Sequence, residues 1–121
     1  MAGMESRGGV RVRIDATAMV EVDKAMKEQV RILREPQKVT IADVSTVGLG
    51  LVSPVFLPKG AILVIKMESA IFNFDKPISL KGEVRYCKPS KEGRYKVGIK
   101  FVEVENDVLN KIKEYVTKGG Q

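Results

Sequence analysis

Apolar and polar residues alternate along most of this chain in short runs. Period two is the signature of extended strands half-buried in a sheet, and it cannot be laid along one face of a helix. From Val10 the apolar positions Val10, Val12 and Ile14 face one way, with Arg11, Arg13 and Asp15 on the other; the pattern continues through Met19-Val-Glu-Val22. After Pro36 it resumes in Lys38-Val-Thr-Ile41, Leu49-Gly-Leu-Val52, Ala61 to Met67, Ile78 to Tyr86 and Arg94 to Phe101. The gaps carry turn chemistry: Asp43-Val-Ser-Thr-Val-Gly48, Leu57-Pro-Lys-Gly60, Asn73 to Pro77, and Pro89-Ser-Lys-Glu-Gly93. In Leu57-Pro-Lys-Gly60, proline presets φ at the second position and glycine closes the turn. Strands so short and so closely spaced imply a mainly β fold, a sandwich or a barrel.

Three stretches depart from that rhythm. Met1 to Gly9 is small, polar and glycine-rich, which reads as a flexible arm at 1–9. Asp23 to Leu33 is built of good helix formers, with Met19, Val22, Met26, Val30 and Leu33 at helical spacing. A helical turn and a long hairpin loop both fit it, and Pro36 ends either. At the far end Val108, Leu109, Ile112, Tyr115 and Val116 fall on one helical face. Asn106 is the expected N-cap, Asp107 suits the positive end, and Lys118 before Gly119 suits the stop, a helix over about 106–118. No repeat or second domain is visible, so 10–121 reads as one domain, and 121 residues suffice for one core.

Composition removes whole classes of chemistry. The chain has no histidine and a single cysteine, Cys87, so Ser-His and Cys-His catalysis, zinc sites and an internal disulfide lack their groups. None of the 15 acidic residues forms a cluster that implies acid–base work. Phosphate-cradling glycine motifs of the GxGxxG or GxxxxGK[ST] type are absent. The expectation is a protein that is not an enzyme and holds neither metal nor cofactor. The longest apolar run, Ala61-Ile-Leu-Val-Ile65, is far shorter than a membrane span, and Met1 to Ser6 lacks an export signal, so a soluble cytoplasmic protein is expected. The net charge of +6 favours anionic partners, although the 21 basic residues are scattered.

Two short patterns remain. Arg7-Gly8-Gly9-Val10-Arg11 puts two arginines four apart where the arm meets the first strand; Asp43-Val44-Ser45-Thr46-Val47-Gly48 lies at a strand-to-strand turn. Each alone fits a structural reading: a chance spacing in a basic chain, or a turn in which Asp and Ser hold backbone N–H groups and Gly supplies a positive φ. Together they match the two edges of one purine. Guanine presents O6 and N7 as acceptors to an arginine, and N1–H and N2–H as donors to a carboxylate. Adenine has an acceptor where guanine has N1–H, so the pairing is selective.

RxxxR followed by DxSxxG resembles the PilZ family of bacterial cyclic di-GMP receptors. Asp43 to Leu51, Leu57-Pro-Lys-Gly60, Gly82-Glu-Val-Arg-Tyr86 and Arg94 to Phe101 are similar to its successive strands and turns, and a terminal helix follows. The resemblance implies a six-stranded antiparallel β-barrel with a C-terminal α-helix, binding without catalysis, and a downstream protein partner in motility or biofilm control. It implies that Arg7 and Arg11 clasp guanine and phosphate as the arm orders over the ligand. Asp43 would hold a Watson–Crick edge, with Ser45 and Gly48 lining the turn beneath. Gly8-Gly9 departs from the pattern by loosening the arm, and Ser6 stands where a basic residue is common. Arg13 adds a phosphate contact or a solvated charge. Two other readings stay open: a basic barrel for single-stranded nucleic acid, disfavoured by an aromatic content of 6% with Tyr86 and Tyr95 read as packing residues, and a PilZ-like interaction module without ligand.

Overall fold

The structure, a computed structural model, describes residues 10–23 and 35–119. The arm at 1–9 with Arg7, and residues 24–34 of the segment read as helix or loop, lie outside them. Six strands follow in order: β1 (Val12–Val22), β2 (Gln37–Val44), β3 (Gly48–Ser53), β4 (Ile62–Met67), β5 (Ile78–Pro89) and β6 (Tyr95–Glu103), then helix α1 (Asn106–Thr117). They close into a barrel in the order β1-β2-β3-β6-β5-β4, every pairing antiparallel. Closure pairs both edges of the sheet, which an open sheet of this size would leave exposed.

Alternation becomes burial along each strand. In β1, Val12, Ala18, Val20 and Val22 point inward while Arg13, Asp15, Thr17 and Met19 stay exposed. Val39, Ile41, Leu49, Leu51, Leu63, Ile65, Leu80, Val84, Val97 and Ile99 complete the filling. Helix α1 adds Val108, Ile112 and Val116 to the same core. Its Tyr115 ring meets Phe72, on the 3-10 turn Ser69–Phe72, edge to face at 5.3 Å between centroids.

Several boundaries differ from the expectations by a residue or two, each for a local reason. The first bond of α1 runs from the Leu109 N–H to the Glu105 carbonyl, 2.9 Å, so the extended Glu105, not Asn106, is the N-cap. The stop is as expected: Gly119 takes φ +71° and donates its N–H to the Val116 carbonyl. The turn before β4 spans Pro58 to Ala61, closed by the Ala61 N–H on the Pro58 carbonyl at 3.1 Å. Gly60 is therefore its third residue, with φ +92°, and proline is the first residue of the turn instead of the second. Asp43 and Val44 belong to β2, which shortens the next turn to Ser45–Val47.

Candidate functional site

Strict alternation from Ile41 would turn Asp43 inward. It faces out because β2 carries an extra residue, Ala42: Ile41 pairs with Leu51 and Asp43 with Gly50, two steps on one strand against one on the other. The β1–β2 register also shifts here, between Arg13 opposite Asp43 and Ala16 opposite Ile41. A β-bulge redirects a side chain in this way. Beyond it Val44 is inside again, fully buried.

Arg11 lies just ahead of β1 and reaches across to the redirected carboxylate, donating Nη1–H to Oδ1 at 2.5 Å. The two side chains remain 42% and 34% exposed. An ion pair so open to water contributes little to stability, about 0–1 kcal/mol, so its significance is the geometry. Arg13 stands opposite Asp43 on β1, and both line an open groove of about 680 Å³ with Asp15, Thr40 and Lys96.

The turn beneath Asp43 is held by Ser45. Its hydroxyl is fully buried and accepts the Val47 and Gly48 N–H groups, each at 3.2 Å, while the Ser45 N–H donates to the Gly48 carbonyl at 2.9 Å. Among the described residues Gly48 is not one of the glycines at positive φ, so the expected backbone role gives way to a steric one. A Cβ at 48 would lie 1.9 Å from the Ile99 carbonyl oxygen of β6. Ser45 and Gly48 thus shape the turn, and neither hydroxyl nor backbone here is open to solvent.

A family model of the PilZ domain matches residues 5–118. The chain belongs to the PilZ domain family. Solved structures show the same fold at low identity. The PilZ domain with c-di-GMP of YcgR from Escherichia coli has a TM-score of 0.64 at 9% identity, over 91% of this chain and 88% of that one. The Bacillus subtilis inhibitor of motility gives 0.70 at 13%, over 90% of this chain and 48% of its own length. The MrkH–c-di-GMP complex from K. pneumonia gives 0.61 at 17%, over 89% and 48%. This PilZ chain thus spans about half the length of the last two proteins. No curated protein matches the sequence.

Within this PilZ domain, Arg11, Asp43, Ser45 and Gly48 come together around one end of β2; Arg7 lies outside the described residues. Two further residues escape a motif-based reading. Gly50 sits under Asp43: a Cβ there would lie 2.5 and 2.6 Å from the carboxylate oxygens. Its register partner on β6, Gly98, lies under the ring of Tyr86, whose Cε2 would be 2.1 Å from an added Cβ. Tyr86 is turned outward by its own bulge, Val84 pairing with Ile99 and Tyr86 with Gly98. Asp43 and Tyr86 therefore lie over neighbouring glycines on adjacent strands, about 5 Å apart at the backbone. The signal was present in Gly48-Leu-Gly50 and Val97-Gly98, where a glycine interrupts a strand.

Proposed function

We propose that this domain is a receptor for cyclic di-GMP. The observation that carries the reading is the meeting of Arg11 and Asp43 on the outer face of the barrel. The Arg11 guanidinium satisfies the Asp43 carboxylate. A guanine inserted between them meets the same demands from both sides, giving N1–H and N2–H to Asp43 and taking N–H bonds from Arg11 at O6 and N7. The exchange leaves neither charged group without a partner, so insertion carries little desolvation penalty there.

The relatives whose structures contain c-di-GMP support this choice of ligand. Arg7 and the residues around it would close over the nucleotide from the amino-terminal side, and the changed surface would be read by a downstream protein. The domain acts by binding, with no catalytic step, and the ligand places it in the bacterial cytoplasm. Among the described residues no helix is long and apolar enough to cross a membrane.

Calorimetric titration with cyclic di-GMP, cyclic di-AMP and GMP tests the reading. Guanine-selective binding of the cyclic dinucleotide, lost in Arg11→Ala, is expected. Absence of binding by all three at high micromolar concentration would refute it.

A further inference from the structure

On the outer face of the barrel, Lys88 of β5 and Lys96 of β6 are register partners. Like charges directly opposite one another destabilise a sheet. Among the described residues neither lysine takes part in an ion pair. Their row offers no carboxylate either: Lys96 is followed by Val52 on β3 and Thr40 on β2. Lys88 lies instead over the Tyr86 ring, 5.1 Å from its centroid, and Tyr86 belongs to the neighbouring row that runs through Gly98 and Gly50 to Asp43. Lys96 lines the same groove as Asp43 and Arg13. Arg13 and Lys96 line the groove with Asp43 and Asp15, while Arg11 reaches Asp43 from beside it and Lys88 stands next to Lys96. The sequence pattern gives no warning, because the lysines are eight residues apart on either side of the Pro89–Gly93 turn.

We infer that Lys96, with Lys88 beside it, holds a phosphate of the ligand whose base sits between Arg11 and Asp43. A phosphodiester placed over β6 gives the two ammonium groups a shared counter-charge and relieves their repulsion. The span from β2 to β6 is two strand spacings, roughly 10 Å, which a nucleoside and a lysine side chain together bridge. Lys96 is then a determinant of affinity, while Arg11 and Asp43 determine which base is chosen. The inference rests on the receptor reading above and adds the direction in which the ligand lies across the barrel.

The test is calorimetric titration of the whole chain with cyclic di-GMP at about 50 and 200 mM salt, a change that roughly halves the screening length. Wild type, Lys96→Gln, Lys96→Arg and, as a control of equal charge change on the exposed side of helix α1 and outside the groove lining, Lys113→Gln are compared. Lys96→Gln is expected to weaken binding by about fivefold in low salt, with a gap that narrows in high salt. Lys96→Arg restores binding, Lys113→Gln matches wild type, and the preference for guanine over adenine is unchanged throughout. If wild type binds and Lys96→Gln titrates identically with the same salt dependence, this inference is overturned and the receptor reading stands. If wild type binds no cyclic di-GMP, the receptor reading fails and the inference falls with it.

Discussion

Gly48 and Gly50 are two residues apart on one strand, and adding a methyl group to each should have opposite consequences. At Gly50 the three atoms nearest the new Cβ all belong to the end of the Asp43 side chain, 2.5 Å to Oδ2, 2.6 Å to Oδ1 and 2.8 Å to Cγ. Ordinary contact begins near 3.4 Å, so the carboxylate must move by roughly 1 Å. It has room to do so, because it is partly exposed and its ion-pair partner Arg11 is a long side chain at the surface. Fold stability should therefore change by no more than about 1 kcal/mol, with alanine's lower strand entropy offsetting part of the loss. Ligand affinity should suffer more. A carboxylate displaced by that distance forfeits a bidentate contact worth about 1–3 kcal/mol, or roughly five- to 150-fold. At Gly48 the Cβ meets the Ile99 carbonyl oxygen at 1.9 Å, which is backbone inside a closed barrel and has nowhere to go. Gly48→Ala should lose about 3 kcal/mol or more of stability. Thermal unfolding of both variants, with calorimetric titration of Gly50→Ala, separates the effects. A Gly50→Ala protein that melts like wild type and binds like wild type would refute the claim that this glycine positions Asp43.

Other substitutions probe the remaining parts of the site. Ser45→Ala should cost about 1–3 kcal/mol in chemical denaturation, because it removes the buried acceptor of the Gly48 N–H and of the partly buried Val47 N–H. Arg11→Lys should bind almost as poorly as Arg11→Ala by calorimetry, since a single ammonium cannot reproduce a two-pronged contact with O6 and N7. Lys81 is held above the ordinary lysine value of 10.5, chiefly by its hydrogen bond to Asp23 and then by the charges of Asp23 and Glu103. A raised folded value means the stabilisation is fully present below the unfolded value and disappears as pH rises through the folded one. Melting curves of wild type and Lys81→Gln should therefore differ by a constant small amount from neutral pH upward and converge only in strong alkali.

The strands, their order along the chain and the closing helix were legible because each rests on a pattern that burial enforces locally. Val20 and Val22 must be inside once Glu21 is outside, whatever the rest of the chain does. The site is where that logic lapses. Strict alternation fails at Ala42 and at Arg85, and at both points the bulge turns the next side chain, Asp43 or Tyr86, from the core to the surface. Nothing in composition marks a bulge, because its cause is register with a partner strand distant in sequence. The glycines show the same division. Gly60 and Gly119 have local reasons, a positive φ in a turn and at a helix end. Gly48, Gly50 and Gly98 have tertiary reasons that only the neighbouring strand supplies. Tyr86 looked like a packing residue, and its ring does pack on Gly98, yet the residue remains 43% exposed. The pairing of Arg11 with Asp43 was anticipated only because base chemistry linked two motifs 32 residues apart.

The most direct measurement is the coupling between the Asp43 carboxylate and the 2-amino group of the bound base. Cyclic di-GMP and its inosine analogue, which lacks that amino group, are titrated into wild type and Asp43→Asn, and the four affinities form a cycle. If the carboxylate accepts N1–H and N2–H together, removing the amino group should matter in wild type and hardly at all in the variant, a coupling of about 1 kcal/mol or more. Equal losses in both proteins, a coupling near zero, would mean that Asp43 does not read the guanine edge.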